Sequence, residues 1–317
     1  MKNVKTLLVG LLSIQALLAA VLYAGNSPED STSQSLLGLN SDSLKTSVEK
    51  IIIDDSKAVQ EVELKQQGGQ WLLANGLPVK QSKLESALSS LSALRTNWPV
   101  ATTTPSHSRF EVAEDKYQKR IQVYKGGELH SELFIGTSPG FKKSHVRVAG
   151  QDEVYALKLN SFDYSGDSDD WLDNGLLHLN SVSSMQGTGY VLNSVAGQWS
   201  LAELPEGKQL LQDKAQGLAA AIEGLNVLGV QAQNLTSFPV GIKVNSEQGE
   251  LSYQLFKEGE NYAVKRSDRN AQFKISQSDY DKVAGVFLDN LLQDAPVIDA
   301  EPEVEGKENV EEQANKE

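Results

Sequence analysis

The sequence Gly69-Gln70-Trp71-Leu72-Leu73-Ala74 decides the fold, because Gly197-Gln198-Trp199-Ser200-Leu201-Ala202 nearly repeats it. Each copy is followed by apolar residues at helical spacing. A further echo lies downstream, where residues 128–134 correspond to residues 250–256. Self-similarity at this distance indicates a duplicated module. The residues that we expect to form the repeated core are Trp71, Leu84, Leu88, Leu91, Trp199, Leu211, Leu218 and Ile222.

The strand and helix patterns predict an α+β fold. We expect two tandem repeats of an antiparallel sheet packed against amphipathic helices, after an N-terminal transmembrane helix. Module one covers residues 48–178 and module two residues 179–295. Each begins with a hairpin, the first turning at Gly68-Gly69, and continues with a helix and a four-strand meander. The helices are expected from Ser82 to about Arg95, over residues 205–224 and over residues 277–292.

The first residues predict a membrane anchor. Residues 6–24 carry no charge and are long enough to span a bilayer as one helix. Lys2 and Lys5 precede them, so residues 1–5 are expected to be a cytoplasmic stub. A cleaved signal peptide and a buried core helix are the alternatives. The favoured interpretation is a single-pass inner-membrane protein whose body lies in the periplasm, after a flexible tether over residues 25–47.

Composition narrows the classes of function. The chain has 317 residues, a net charge of -13 and no cysteine, which excludes disulfides and thiolate chemistry. Residues 296–317 are expected to form a disordered acidic tail. An acidic body without a basic stripe argues against nucleic acid and anionic lipid headgroups as ligands.

One stretch has the form of a hydrolase motif. Gly136-Thr137-Ser138-Pro139-Gly140 matches G-x-S-x-G, in which a strained turn exposes a nucleophilic serine. However, residues 141–148 alternate like a second strand, whereas the motif requires a helix there. Pro139 also lacks the N–H that an oxyanion hole needs. A hairpin loop is the favoured interpretation.

Two other groups of residues resemble metal ligands. Five aspartates suggest calcium, but their spacing does not match a known calcium loop, and capping of the segment around Trp171 explains them as well. His130 and His145 lie on adjacent predicted strands at positions that suit a solvent-facing side chain, and no third ligand is evident. We expect no metal and no cofactor. The aspartates are Asp163, Asp167, Asp169, Asp170 and Asp173.

Several short segments together resemble the bacterial domain-of-unknown-function family numbered 4340. The resemblance covers roughly residues 57–204, with a weaker continuation through module two. Leu172 stands where the family usually has an arginine after its second conserved tryptophan. The segments that carry the resemblance are Gly69 to Trp71, Leu133 to Gly136, Val146 to Val148 with Val154-Tyr155, and Trp171 to Asp173 with Leu176-Leu177.

The resemblance implies an accessory role and supplies no catalytic residues. Members are typically anchored by one N-terminal helix, and many accompany ABC-type export systems of the gliding-motility kind. We therefore expect a non-enzymatic extracytoplasmic subunit whose partners are a membrane permease and an ATPase. The alternatives are a periplasmic module that binds a glycan or peptide between its two modules, and a hydrolase that uses Ser138.

Overall fold

The computed structural model describes residues 15, 35–39, 44, 46–96 and 98–296. The predicted anchor, residues 6–24, lies outside this part of the chain except for Gln15, and so does the predicted tail from residue 297. Within the described residues, no helix is both long enough and apolar enough to cross a membrane.

The described chain forms two compact units. Residues up to Leu176, together with Val227–Val230, form unit one. Leu177–Asn226 and the described residues from Gln231 onward form unit two. Both units combine helices with antiparallel strands, which confirms the predicted α+β class.

Unit one is built on a seven-stranded antiparallel sheet with the order β3-β2-β1-β4-β5-β6-β7. The β2–β3 hairpin turns at Gly68-Gly69, where both glycines have positive φ, as the sequence predicts. The strands are β1 (Lys50–Asp55), β2 (Val62–Gln67), β3 (Gln70–Leu73), β4 (Lys119–Lys125), β5 (Glu128–Ile135), β6 (Ser144–Val148) and β7 (Val154–Leu157).

Strand β1 is absent from the sequence-based expectation, in which module one begins with the hairpin that turns at Gly68-Gly69. In the structure β1 pairs with both β2 and β4 and joins the hairpin to the meander. Ile51 and Ile53 point into the core, whereas Ile52 is half-buried. Three consecutive isoleucines do not alternate in polarity, so the pattern of a half-buried strand is hidden here.

The two helices of unit one are α1 (Gln81–Ser92) and α2 (Thr104–Phe110). Helix α1 ends three residues before Arg95 and buries Leu84, Leu88 and Leu91, whose spacing places them on one face. Helix α2 was not predicted, and it ends at Glu111, whose φ of 56° is left-handed.

Part of the predicted tether packs onto unit one. Leu36, Leu37, Leu39 and Leu44 are buried, and the Leu36 N–H donates to the carbonyl of Leu94 over 3.0 Å. Removal of leucine side chains from water stabilises the folded chain. The described residues between 35 and 44 therefore belong to the folded unit.

Unit two contains an antiparallel sheet in which the strands follow the order β10-β9-β8-β13-β14-β15-β16, and a separate pair, β11 with β17. β12 (Gly229–Val230) lies in the segment that belongs to unit one. The other strands are β8 (Ser184–Gly187), β9 (Tyr190–Val195), β10 (Gln198–Leu201), β11 (Lys208–Leu210), β13 (Val240–Ser246), β14 (Gly249–Glu258), β15 (Asn261–Arg266), β16 (Phe273–Lys274) and β17 (Leu292–Asp294).

The helices of unit two are shorter than predicted. Helix α3 (Gln212–Glu223) replaces the expected helix over residues 205–224, because Gly207 has a φ of 69° and the next residues form β11. Helix α4 (Gln277–Ala284) replaces the expected helix over residues 277–292. It ends at Gly285, which has a low helix propensity, and Phe287 is extended.

Each unit also contains a buried arginine that stacks on an aromatic ring of the neighbouring strand. The Arg147 guanidinium lies 4.6 Å from the Phe134 ring, and its Nε donates to the carbonyl of Val112. Arg266 lies 5.9 Å from the Tyr253 ring, donates to Asp268 through Nε and Nη2, and donates to the carbonyl of Leu177 over 2.8 Å. These contacts satisfy donors that would otherwise be costly to bury.

The edge of β10 is covered by a side chain. The amide of Gln212, the first residue of α3, accepts from the N–H of Trp199 over 3.0 Å and donates to its carbonyl over 2.7 Å. This is the hydrogen-bond pattern that a neighbouring strand would provide. Gln212 thereby fixes the start of the helix against the edge of the sheet.

Replacing Gln212 with alanine removes both bonds. We expect the free energy of unfolding to fall by about 1–3 kcal/mol, because the backbone groups of buried Trp199 lose their partners. Urea unfolding followed by tryptophan fluorescence measures this change. Lys214→Ala, at an exposed position of the same helix, is the control. Equal stability of the two variants would contradict the role assigned to Gln212.

Candidate functional site

Residues 136–143 form the loop between β5 and β6, which pair antiparallel. The G-x-S-x-G motif therefore lies in a hairpin loop, as the sequence predicts. Ser138 Oγ is 2.7 Å from the carbonyl oxygens of both Gly140 and Lys143, and it accepts from the Gly140 N–H over 3.3 Å. The Ser138 hydroxyl thus stabilises the loop through hydrogen bonds to the loop's own backbone.

The first glycine of the motif is required by packing. A Cβ on Gly136 would lie 2.0 Å from the carbonyl oxygen of Phe110 and 2.5 Å from that of Glu111. The C-terminal end of α2 therefore rests directly on the backbone of Gly136. Thr137 extends this contact, because its N–H donates to the Phe110 carbonyl over 2.9 Å.

His145 is an enclosed titratable group just after this loop. It is only 8% exposed, its Nδ1 lies 2.9 Å from Thr137 Oγ1, and its ring centroid is 4.3 Å from that of Phe110. Burial lowers the pKa of His145, and the nearby Arg109 acts in the same direction, against a hydrogen bond with Thr137. The expectation of a solvent-facing side chain is wrong here, since neighbours cover both faces of β6.

The other histidines have separate partners. His130 is exposed on β5, and its Nε2 is 3.1 Å from the Leu37 carbonyl oxygen. The carbonyl of His145 accepts from the N–H of Gly136, which directly follows β5 and lies six residues beyond His130. The prediction that the two imidazoles are near neighbours is therefore wrong. The remaining contacts are His107 Nε2 to the Asp152 carbonyl, 3.0 Å, and His178 Nε2 to Asn226 Oδ1, 3.2 Å.

The five aspartates that suggested calcium each accept a hydrogen bond inside unit one. Their carboxylates cap turns and a short 3₁₀ helix, as the capping interpretation expects. Among the described residues, no group of three or more potential ligands is placed to hold a metal ion. The donors are Asn160 Nδ2 for Asp163, Asp169 N for Asp167, Val230 N for Asp169, Ser165 Oγ for Asp170 and Gly175 N for Asp173.

The predicted core residues of the repeat lie on two strands, on two helices and, in one case, just before a helix. Trp71 and Trp199 occupy the same position in β3 and β10 and are 7% and 5% exposed. Leu211 is half-buried and directly precedes α3 instead of lying within it. The remaining members are buried on α1 and α3, and they are Leu84, Leu88, Leu91, Leu218 and Ile222.

Unit one has a groove that the sequence did not predict. It has a volume of about 720 Å³ and lies among the β1–β2 loop, the turn after β3 and the loop at residues 165–168. Carboxylates line it together with Val59, which is 99% exposed. The size suits a small ligand, and the lining favours positive or hydroxyl-rich groups. The acidic lining residues are Asp55, Glu61, Glu63 and Asp167.

Cations of β4 neutralise part of this groove. Arg120 Nη2 lies 2.9 Å from Asp54 Oδ2 and 2.8 Å from Glu61 Oε1, and Lys119 Nζ contacts Asp55 Oδ2. Burial acts to raise the pKa of Asp55, but bonds from Lys119 and the Lys57 N–H outweigh it, and the pKa is lowered. These partners are more than 55 residues apart in the chain, so no local pattern indicates them.

A comparison with protein families identifies the chain's relatives. The family model described as "Domain of unknown function (DUF4340)" matches residues 71–239, more than half of the chain. The chain belongs to this family. The DUF4340 match begins later than the predicted resemblance and extends to Pro239, so it includes parts of both units. Comparisons with curated proteins and with solved structures gave no match.

The structure gives a local reason for leucine at position 172, where the resemblance predicts an arginine. Leu172 is 1% exposed and forms a bridge with Val79. An apolar side chain suits this buried position, because an arginine there would need partners for its charge.

We expect Gly136→Ala to destabilise unit one by about 1–3 kcal/mol or more, because the new methyl group overlaps backbone atoms that cannot rotate away. Gly140→Ala, in the same loop, is the matched control, since a Cβ there meets nothing within 4 Å. Thermal unfolding of both variants measures the difference. Equal melting temperatures would show that the contact with α2 does not need glycine.

His145 predicts a pH-dependent stability. Its pKa in the folded chain is below the ordinary 6.5, so the unfolded chain binds more protons as the pH falls through that value. The free energy of unfolding should therefore decrease as the pH falls from about 6.5 toward 5. Urea titrations should give a smaller decrease for His145→Gln, with His130→Gln as a control for the loss of one imidazole. The same decrease in His145→Gln and the unaltered chain would contradict this assignment.

Proposed function

We propose that the chain is a non-enzymatic accessory subunit of an ABC-type transport assembly, which acts as a scaffold or interaction protein. In this proposal residues 6–24 anchor it in the inner membrane, or are cleaved as a signal peptide, and the body lies in the periplasm. Membership of the DUF4340 family supports the proposal, because proteins of this family are expected to accompany ABC-type export systems.

The main support for the proposal is that the potentially reactive side chains, a serine and the histidines, form hydrogen bonds within the fold. Ser138 and all four histidines lie within hydrogen-bond distance of backbone or side-chain atoms of their own unit. A catalytic serine would instead need an adjacent base held by a third group. The contacts favour a scaffold over the hydrolase.

We also propose that the two units are copies of one α+β module. The order β3-β2-β1-β4-β5-β6-β7 in unit one corresponds strand by strand to β10-β9-β8-β13-β14-β15-β16 in unit two. In each unit the tryptophan strand comes third in the chain, before the amphipathic helix. Duplication would provide two related surfaces for partner proteins without requiring new chemistry.

Exposed aromatic residues on both units support a role in binding proteins. Trp98 of unit one is 92% exposed and Phe238 of unit two is 98% exposed. Large aromatic side chains of this kind supply much of the binding energy at protein interfaces. They are the side chains that we expect the permease or another subunit to cover.

Purification of the full chain from gently solubilised native membranes tests the proposal. A permease and an ATPase should be recovered with it, and Trp98→Ser and Phe238→Ser should each weaken partner recovery about tenfold. Val59→Ser, which changes an equally exposed aliphatic residue, is the control. Recovery of the chain alone would contradict the proposed assembly, and full recovery with both variants would remove the aromatic residues from its interface.

A further inference from the structure

The β5–β6 loop ends in a tight turn that presents an aromatic side chain to solvent. Gly140 and Lys143 form an antiparallel bridge, in which the Lys143 N–H donates to the Gly140 carbonyl over 3.1 Å. Phe141, at the tip, is 88% exposed. Lys142 follows it with a left-handed φ of 51°, which a residue with a Cβ rarely adopts.

The turn is held in this shape by the rest of the loop. Ser138 Oγ lies 2.7 Å from the carbonyl oxygens of Gly140 and Lys143, the two ends of the turn. Gly136 and Thr137 fix the base of the loop on α2. A single exposed hydrophobic side chain is common on a protein surface, so the meaning of this one depends on the residues around it.

The charges around Phe141 are positive, although the chain as a whole is acidic. Residues 136–146 contain two lysines, Lys142 and Lys143, and no acidic residue. Lys158 directly follows β7, whose Leu157 pairs with Ser144, so it lies beside Lys143. The nearest carboxylate along α2, that of Glu111, accepts a hydrogen bond from Gln118 over 2.8 Å.

An exposed phenylalanine followed by two lysines fits a bilayer surface better than a protein surface. Protein interfaces are depleted in lysine. Segments that bind at the membrane interface instead combine aromatic residues, which enter the headgroup region, with lysines that attract anionic lipids. The net charge of the chain conceals this local cluster.

The length of the N-terminal segment keeps the turn within reach of a membrane. The predicted anchor ends at residue 24, and Ser35 already forms a bridge with Arg95 of unit one. The ten residues between them span at most about 35 Å. That distance is comparable to the diameter of a compact unit of about 130 residues. Unit one would therefore stay at the bilayer surface.

We propose that Phe141, Lys142 and Lys143 form a second membrane contact, in which the phenyl ring enters the headgroup layer and the lysines bind anionic lipid. This inference rests on the membrane attachment included in the proposed function. It adds an orientation, because unit one would face the bilayer with the β5–β6 loop.

The absence of cysteine allows a direct test. Phe141→Cys carries an environment-sensitive fluorophore, and the full chain is reconstituted in nanodiscs of phosphatidylcholine with or without phosphatidylglycerol. In anionic discs the emission should shift to the blue and be quenched by spin-labelled lipid. The same label on Val195→Cys, an exposed position of unit two, is the control and should remain in water.

Replacing Lys142 and Lys143 with glutamine in the labelled chain should lower the ratio of lipid-bound to free turn about 30-fold at low salt. An emission at position 141 that matches the Val195 control in anionic discs would overturn the inference. A blue shift of the label at position 141 that appears in native membranes but not in anionic discs would overturn it as well. In that case a membrane protein, and not lipid, would cover the turn. Alkaline extraction is the separate test of the anchor, since release of the chain would contradict the proposed membrane attachment itself.

Discussion

The pairing of β1 with both β2 and β4 is the constraint on which unit one depends. Without it, the tryptophan hairpin and the meander would be separate ribbons with exposed edges. The register is fixed at one end by charge, because Asp54 lies opposite Arg120 and Asp55 lies opposite Lys119. A shift by one residue would separate these pairs and would turn Ile51 and Ile53 out of the core. Asp55, one of the two carboxylates that fix the register, also lines the groove, so fold and surface chemistry share this residue.

The sequence predicts those parts of the fold that local patterns determine. Gly68-Gly69 marks a hairpin turn, and the spacing of Leu84, Leu88 and Leu91 marks a helix face. Errors occur where a distant contact overrides the local pattern. Residues 208–210 leave the expected helix because they pair with β17, and three consecutive isoleucines conceal β1. His145 follows the alternation of a strand, but the alternation cannot reveal that both faces of β6 are covered.

The candidate site was predictable to a smaller extent. A hairpin loop at Ser138 follows from Pro139 and the strand behind it. The requirement for glycine at position 136 does not follow from the sequence. The carbonyl that Gly136 touches belongs to a helix 26 residues earlier, and that helix was not predicted. The acidic groove is assembled from three loops, and its charges are balanced by residues of β4. Such features depend on tertiary contacts, for which a single sequence gives no local signal.

The contact between Arg266 and Leu177 has a consequence for how unit two forms. The Arg266 guanidinium donates to a carbonyl 89 residues earlier in the chain. Strand β11 likewise cannot form its pair until β17 is present. Contacts of such high sequence separation slow folding, because a long loop must close before they stabilise anything. During synthesis or export, strands β8, β9 and β10 can pair with one another, but β8 lacks its second neighbour until β13 has emerged. The open edge of β8 must remain unpaired throughout that interval, which makes the order of chain emergence part of the protein's folding problem.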